Sequence, residues 1–133
     1  MTHRNALLGL LRCAPLAFVL MLAACGEAGR ADVAAMEGDP VRGRLALSQY
    51  ACQACHTIPG VTGSDVHVGP PLARFAGRRH IARGLPNTPE NLARWIRDPK
   101  GVDPHTAMPM LGVSEADAKD MTAYLFLHTA GNR

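Results

Sequence analysis

A chain of 133 residues has room for one small domain, because domains typically contain ~100 to 150 residues. The formal net charge is +3, and the chain contains one tryptophan, two tyrosines and three phenylalanines. This composition lacks the basic stripe and the stacking aromatic side chains that nucleic-acid binding usually requires. One basic cluster is present, and it is interpreted as a solvated face or as a contact with an anion: Arg74, Arg78, Arg79 and Arg83.

The first 24 residues have the pattern of a secretory signal peptide, in which an apolar run at residues 13–22 follows two arginines. A helix between Arg12 and Cys25 would cover only ~18 Å of a ~30 Å hydrocarbon core, which is too short for a membrane-spanning helix. Removal of residues 1–24 takes away two of the 14 basic residues and none of the 11 acidic ones. The mature chain is therefore expected to be close to neutral.

The stretch LAACG at residues 22–26 resembles the lipobox of bacterial lipoproteins, in which cleavage precedes the cysteine and the cysteine receives the lipid. We predict lipidation of Cys25 and a flexible tether at residues 25–38, with an r.m.s. reach of ~20 Å. The folded domain is predicted at residues 39–133. The alternative is an ordinary signal peptide that leaves a soluble periplasmic protein.

The first helix is predicted to begin after Asp39, a favourable N-cap, with Pro40 at the first helical position. Gly43 is expected where a neighbouring backbone approaches closely. Glycines and prolines predict a loop at residues 58–71. The apolar side of the first helix is predicted to consist of Val41, Leu45, Leu47 and Ala51.

A second helix is predicted after the cap Thr88, and Asp98-Pro99 is expected to end it. Its apolar face is predicted to consist of Leu92, Trp95 and Ile96. The last helix is predicted to start at Ser114, with Asp117 completing a carboxylate variant of the capping box. Its apolar face is predicted to consist of Met121, Tyr124, Leu125 and His128.

These elements predict an all-α fold, because no window shows sustained β alternation and at least three short helices are joined by long loops. So little regular structure does not make a dense core alone. Chains of this size with long loops usually need an additional stabilising element, and a large apolar cofactor would supply one.

The stretch CQACH at residues 52–56 predicts that cofactor. The order Cys-x-x-Cys-His is typical of covalent haem attachment, in which two thiols add to the vinyl groups and the adjacent imidazole binds the iron. A structural zinc site would need four ligands, and no cysteine follows Cys55. A thioredoxin-like dithiol would need a strand leading to a helix N-terminus, whereas this motif follows a predicted helix.

The second axial ligand of the iron has several candidates in the sequence. Met108 precedes Pro109 in an irregular segment that can lie over a haem face, and Met110 is its close competitor. Met121 is interpreted as ordinary core packing on the last helix. The histidines that are formally available are His67, His80, His105 and His128.

Four stretches in the same order resemble a small class I cytochrome c, over roughly residues 39–129. They are CQACH, Gly69-Pro70 followed by Leu72 and FAGR, LPNTPENLARWIRDP, and TAMP followed by DAKDMTAYLFL. The resemblance implies a cytochrome c fold with three to five short helices and long loops around one covalently attached haem.

The resemblance also implies roles for individual residues. Gly43 would lie near Tyr124 or Leu125, where the first and last helices cross. Trp95 also fits a plain core aromatic. The implied cofactor contacts are thioethers at Cys52 and Cys55, His56 as proximal ligand, Met108 as distal ligand, the Pro70 carbonyl holding the His56 ring, and Arg78 and Trp95 at the haem propionates.

A histidine and a thioether would leave the iron six-coordinate, which predicts electron transfer and not catalysis. We predict a monomeric one-electron carrier in a bacterial respiratory chain, anchored through Cys25 on the periplasmic side of the cytoplasmic membrane. Its expected redox partners are a respiratory donor complex and a terminal oxidase or reductase. The alternatives are a fixed haem c subunit of an oxidase or dehydrogenase complex, and a haem-based gas-binding protein or enzyme.

Overall fold

The computed structural model describes residues 36–63 and 68–129. The predicted signal peptide, the predicted lipidation site Cys25, most of the predicted tether and His67 lie outside these ranges. Within them, no helix has the length and apolar character to cross a membrane. The helices in the described part are α1 (Pro40–Gln49), α2 (Pro89–Arg97), α3 (Pro99–Val102) and α4 (Glu115–His128).

The remaining regular structure is short. Two 3₁₀ turns occur at Cys52–Ala54 and Phe75–Gly77. Strands β1 (His80–Ile81) and β2 (Leu85–Pro86) pair antiparallel, with Ile81 opposite Leu85. This hairpin was not expected, because two residues per strand are too few to show alternation in the sequence. The predicted all-α class is confirmed.

The three longer helices, α1, α2 and α4, begin at the N-cap residues predicted from the sequence. Asp39 Oδ1 accepts hydrogen bonds from the backbone N–H groups of Val41 at 2.8 Å and Arg42 at 3.2 Å. Thr88 Oγ1 accepts from the Asn91 N–H at 3.3 Å. A capping box starts α4. Ser114 Oγ accepts from the Asp117 N–H at 3.1 Å and donates to Asp117 Oδ2 at 2.7 Å.

Asp98 both ends one helix and caps the next. It ends α2, as predicted, and its Oδ1 then accepts from the Gly101 N–H at 2.8 Å, which caps α3. Pro99 occupies the first position of α3, where a missing N–H costs nothing. The prediction of a simple stop therefore missed a four-residue helix.

The two longest helices, α1 and α4, cross with almost no space between their backbones. A Cβ on Gly43 would overlap the carbonyl oxygen of Asp120, so only glycine fits at this position. Ala46 and Leu47 expose 2% of their surface beside the crossing, and Met121 is fully buried. The close approach predicted for Gly43 is confirmed. The atoms nearest to Gly43 belong to Asp120 and Met121, about one helical turn before the predicted Tyr124 or Leu125.

The predicted apolar side of α1 is also wrong in part. Val41 and Leu45 expose 71% and 53% of their surface, and Ala51 is exposed, whereas Leu47 is buried as expected. The close crossing places small residues on the buried side, which are Gly43 and Ala46.

On α4, the predicted apolar face is correct for three residues, Met121, Tyr124 and Leu125. His128 is exposed, and its ring stacks on the Tyr124 ring with centroids 4.3 Å apart. A small residue that the prediction omitted, Ala118, is fully buried on the same helix.

A charged network closes the crossing on one side. The buried carboxylate of Asp120 accepts from Arg42 Nε at 2.7 Å, Arg42 Nη2 at 3.0 Å and the Asp39 N–H at 2.6 Å. The hydrogen bond from Arg42 is the main cause that lowers the pKa of Asp120. Lys119 Nζ lies 2.8 Å from the Glu37 carboxylate, and Gly38 packs against the Lys119 carbonyl. The last residues of the predicted tether therefore contact α4.

The core extends from this crossing to α2 and the loops. Leu92 and Ile96 are buried on α2, which packs against α4, and Trp95 is half-buried beside them. The loops contribute further buried apolar side chains, which are Ile58, Leu72, Phe75, Ile81 and Val113.

Candidate functional site

The Cys-x-x-Cys-His motif forms one compact turn directly after α1. Ala51 has a left-handed backbone conformation with φ 53°, which reverses the chain before the 3₁₀ turn. The N–H groups of Cys55 and His56 both donate to the Cys52 carbonyl, at 3.3 and 3.0 Å. The turn therefore holds two thiols and an imidazole in a short, defined stretch of backbone.

Both cysteines are half-buried free thiols. Burial raises the pKa of the Cys52 thiol, whereas a reactive dithiol or a metal-bound pair needs a stabilised thiolate. Across residues 36–63 and 68–129, no group of three His, Cys, Asp or Glu side chains is arranged to hold a metal ion by itself.

The His56 ring is fixed by the loop that contains Gly69 and Pro70. His56 Nδ1 lies 2.8 Å from the Pro70 carbonyl oxygen. Because a carbonyl only accepts, Nδ1 carries the proton in the neutral ring, and Nε2 retains the lone pair that a metal would need. A Cβ on Gly69 would overlap the imidazole ring, so the backbone lies directly against it.

Two backbone hydrogen bonds hold Pro70 at the correct distance. The Gly69 N–H donates to the Cys55 carbonyl and the Leu72 N–H donates to the Thr57 carbonyl, both at 2.8 Å. The donors lie on either side of Pro70, and the acceptors lie on either side of His56. The protein's own backbone therefore orients the imidazole ring.

The segment with the candidate distal ligands is also hydrogen-bonded within itself. Asp103 is buried, and its carboxylate accepts from the His105 N–H at 3.0 Å. Lys100 Nζ donates to the Thr106 carbonyl, and Thr106 Oγ1 accepts from the Met108 N–H at 3.1 Å.

The distal candidates differ in burial. Met108 is half-buried, whereas Met110 exposes 61% of its surface. Met121 belongs to the helix crossing. Apart from His56, the three histidines that the structure describes are exposed, namely His80, His105 and His128.

Arg78 lies near the Pro70 loop, and Trp95 lies at the edge of the hydrophobic core. Arg78 Nη2 donates to the Pro71 carbonyl, and its guanidinium carbon lies 5.2 Å from the centre of the Phe75 ring. Trp95 is half-buried and packs against the core. The structure thus brings Arg78, but not Trp95, to the residue next to Pro70.

Two contacts at this site were not predicted from the sequence. Tyr124 Oη donates to the Pro59 carbonyl at 2.7 Å, and Arg44 Nη1 donates to the Gly60 carbonyl at 2.9 Å. Tyr124 was expected only as a core aromatic of α4. No sequence signal indicates which loop carbonyl such a hydroxyl will reach.

The chain is similar to known proteins over this region. The family model described as Cytochrome c matches residues 41–126. Cytochrome c2 iso-2 of Magnetospirillum fulvum is 34% identical over 88 residues, which cover 56% of this chain and 88% of that protein. The structure of cytochrome c2 from Rhodobacter sphaeroides superposes with a TM-score of 0.57 at 25% identity, covering 72% of this chain and all of that one.

A longer relative matches over part of its length. Cytochrome c oxidase subunit 2 of Alkalihalophilus pseudofirmus is 38% identical over 85 residues, or 63% of this chain. The matched region is only 24% of that subunit.

Proposed function

The chain belongs to the cytochrome c family, and we propose that its haem c, ligated by His56 and Met108, carries single electrons in a bacterial respiratory chain. The predicted cytochrome c fold, with short helices and long loops, is confirmed. Haem c attachment through cysteine and electron transfer follow from family membership. The individual ligands, the haem count of one and the respiratory role are the proposal.

The observation that carries the proposal is the hydrogen bond between His56 Nδ1 and the Pro70 carbonyl inside a Cys-x-x-Cys-His turn. Cys52 and Cys55 would hold the haem as thioethers, and His56 would bind its iron through Nε2. The bound haem would supply iron that changes between the ferrous and ferric states. The hydrogen bond to Pro70 keeps the tautomer of His56 fixed and raises the basicity of Nε2.

Met108 is the proposed distal ligand, because its backbone is held by Thr106 and its side chain is half-buried. Arg78 and Trp95 are proposed to contact the haem propionates. Arg78 is supported by its position beside the Pro70 loop, and Trp95 is supported by the resemblance of its stretch to the cytochrome c family.

Covalent attachment is tested by the double substitution Cys52→Ala and Cys55→Ala. The variant is expected to lose all haem on acid-acetone extraction, whereas the native chain keeps it. Cys25→Ser is the matched cysteine control and should keep the haem. Haem that survives extraction from the double variant would refute attachment at these two residues.

The distal ligand is tested by comparing Met108→Ala with Met110→Ala. Met108→Ala is expected to open a coordination position, so that the reduced protein binds carbon monoxide at neutral pH. Met110→Ala is expected to leave binding absent, because this side chain is mostly exposed. The reverse result would assign Met110 as the ligand. Carbon monoxide binding to the native protein would instead favour a gas-binding protein or enzyme.

The proposed location follows from the sequence outside the described residues. We propose a signal peptide at residues 1–24, lipidation of Cys25 and a tether at residues 25–38, which places a monomeric carrier on the periplasmic side of the cytoplasmic membrane. Cys25→Ser should then release the protein from membranes. Unchanged pelleting would count against lipidation.

The proposed partners are a respiratory donor complex and a terminal oxidase or reductase. The relative named cytochrome c oxidase subunit 2 supports a second candidate, in which the chain is a fixed haem c subunit of an oxidase. Purification in mild detergent separates the two candidates. Stoichiometric association with a membrane complex supports the fixed subunit, and recovery as a free haem protein supports the carrier.

A further inference from the structure

The turn that follows His56 is held by both helices of the crossing. Tyr124 on α4 donates to the Pro59 carbonyl at 2.7 Å, and Arg44 on α1 donates to the Gly60 carbonyl at 2.9 Å. The two acceptors are consecutive carbonyls, three and four residues after His56. One side chain from each helix therefore fixes this short piece of backbone.

The Tyr124 hydroxyl has little freedom to move. Gly60 has φ +76°, and a Cβ at this position would overlap the Tyr124 oxygen, so the turn lies directly on the hydroxyl. The His128 ring stacks on the aromatic ring of Tyr124, with ring centroids 4.3 Å apart and 14° between the ring planes. The phenol is thus held between the turn and a second ring.

The turn continues into the backbone that carries the imidazole. Ile58, which exposes 3% of its surface, anchors it in the core, and its carbonyl accepts from the Val61 N–H at 3.1 Å. One residue earlier, the Thr57 carbonyl accepts from the Leu72 N–H. A displacement at Pro59 would therefore shift the backbone on one side of His56 relative to the Pro70 carbonyl.

We propose that Tyr124, assisted by Arg44, is a positioning residue for the proximal ligand. It fixes the backbone from which His56 projects, and so it maintains the hydrogen bond between His56 Nδ1 and Pro70. This inference rests on the proposed function, since it requires His56 to bind the haem iron. Because that hydrogen bond increases electron donation from Nε2, loosening it is expected to destabilise the ferric state and raise the reduction potential.

The two tyrosines of the chain provide a matched pair for the test. Tyr50 Oη donates to Asp117 Oδ2 at 2.9 Å and is also hydrogen-bonded by Ser114, so its bonds reach the start of α4. Tyr124→Phe and Tyr50→Phe each remove one hydroxyl and the hydrogen bond that it donates. They differ in whether that bond reaches the turn after His56.

The experiment measures hydrogen exchange by NMR in the haem-loaded, reduced full chain. The three reporters are the His56 Nδ1–H and the backbone N–H groups of Gly69 and Leu72. Tyr124→Phe should accelerate their exchange about tenfold and raise the midpoint potential, as expected for the loss of one hydrogen bond. Tyr50→Phe should change exchange by less than about twofold and leave the potential unchanged.

A second variant keeps the test decisive if Tyr124→Phe does not fold. Arg44→Met removes the bond to Gly60 at an exposed position, and it should accelerate the same three reporters about threefold. Equal effects of the Tyr124 and Tyr50 variants, or unchanged reporters in the Tyr124 variant, would overturn the positioning role. If the native His56 ring proton lacks the shift caused by a haem ring current, the proposed ligation itself fails.

Discussion

The helix crossing and the haem loops are stabilised in different ways. The crossing consists of α1, α4 and residues 37–39, and the haem loops consist of residues 50–63, 68–86 and 103–113. In the crossing, Ala46, Leu47, Ala118 and Met121 expose only 0–2% of their surface, and the buried carboxylate of Asp120 is hydrogen-bonded to Arg42. In the haem loops, hydrogen bonds hold the proposed ligands His56 and Met108, while Val68 and Met110 expose 68% and 61% of their surface.

This difference separates stability from redox chemistry. The protein's own atoms complete the contact between Gly43 and Asp120, so substitutions at these two residues should change the free energy of unfolding and leave the haem spectrum unchanged. The haem loops share the core through a few buried apolar side chains, and they position the site residues by backbone hydrogen bonds. Substitutions at these hydrogen-bonded site positions should change the haem spectrum or potential in addition to the free energy of unfolding.

The largest expected effect is that of Gly43→Ala. The added Cβ meets the backbone oxygen of Asp120, which cannot move without separating the helices. We expect a loss of more than about 3 kcal/mol in the free energy of unfolding. Gly77→Ala is the matched control, because a Cβ there meets nothing within 4 Å, and it should change stability by less than about 0.5 kcal/mol. Chemical denaturation measures both, and equal losses would break the comparison.

Asp120→Asn should cost about 2 kcal/mol at neutral pH, because it removes charged hydrogen bonds to Arg42. The pKa of Asp120 is lower in the folded chain than its ordinary value of 3.8, so the unfolded state binds the proton more readily. Its stabilising contribution is complete above that ordinary value and is lost as the pH falls through the folded pKa.

Denaturation between neutral and acidic pH measures this effect. The native chain should lose stability towards acidic pH more steeply than Asp120→Asn, and the two curves should converge. Parallel curves would show that Asp120 does not contribute in this way. The haem spectrum should be the same in both proteins at neutral pH.

Gly69→Ala tests the haem loops with the same chemical change as Gly43→Ala. Its Cβ meets the His56 ring, which is a side chain and can rotate away. We expect a loss of about 1.5 kcal/mol, from the displaced ring and the hydrogen bond to Pro70. The haem spectrum and midpoint potential should shift, in contrast to the crossing variants. An unchanged spectrum would remove the distinction between the two regions.

The smallest expected effect is that of Ser114→Ala at the start of α4. The substitution removes the cap on the Asp117 N–H and should cost about 1 kcal/mol. Ser48→Ala is a suitable control, because its hydroxyl bonds only the preceding turn of α1 at 3.4 Å. Thermal denaturation compares the two, and a larger loss for Ser48→Ala would contradict the assignment of the cap.

Helix starts could be predicted from the sequence because their partners are local. Asp39, Thr88 and Ser114 each bond a backbone N–H within three residues. The same signal was ambiguous at Asp98-Pro99, which ends one helix and begins another. When two helices follow each other directly, the residues that end the first helix are also the residues that begin the second.

The buried side of α1 could not be predicted in this way. Val41 and Leu45 are four residues apart and form an apolar stripe, yet both are exposed. Their exposure is decided by α4, which approaches at Gly43 and selects the smallest side chains. The buried side of α1 therefore depends on a helix that is distant in sequence, and the hydrophobicity of α1 alone does not predict it.

At the site, the motif predicted the grouping of Cys52, Cys55 and His56 on one turn, and the resemblance implied the contact between His56 and Pro70. The contact from Tyr124 to Pro59 was not predicted. Every loop residue has a carbonyl, so a hydroxyl's acceptor is known only from the fold. The roles proposed for Met108, Arg78 and Trp95 stay predictions.

The attachment of residues 37–39 to α4 has a mechanical consequence. Tension along a tether from Cys25 would enter the domain at Glu37 and Gly38, which lie against Lys119. The pull would then pass through Arg42 and Asp120 into the longest helix. Because α4 also carries Tyr124, whose hydroxyl donates to the Pro59 carbonyl, the same helix links this entry point to the turn after His56.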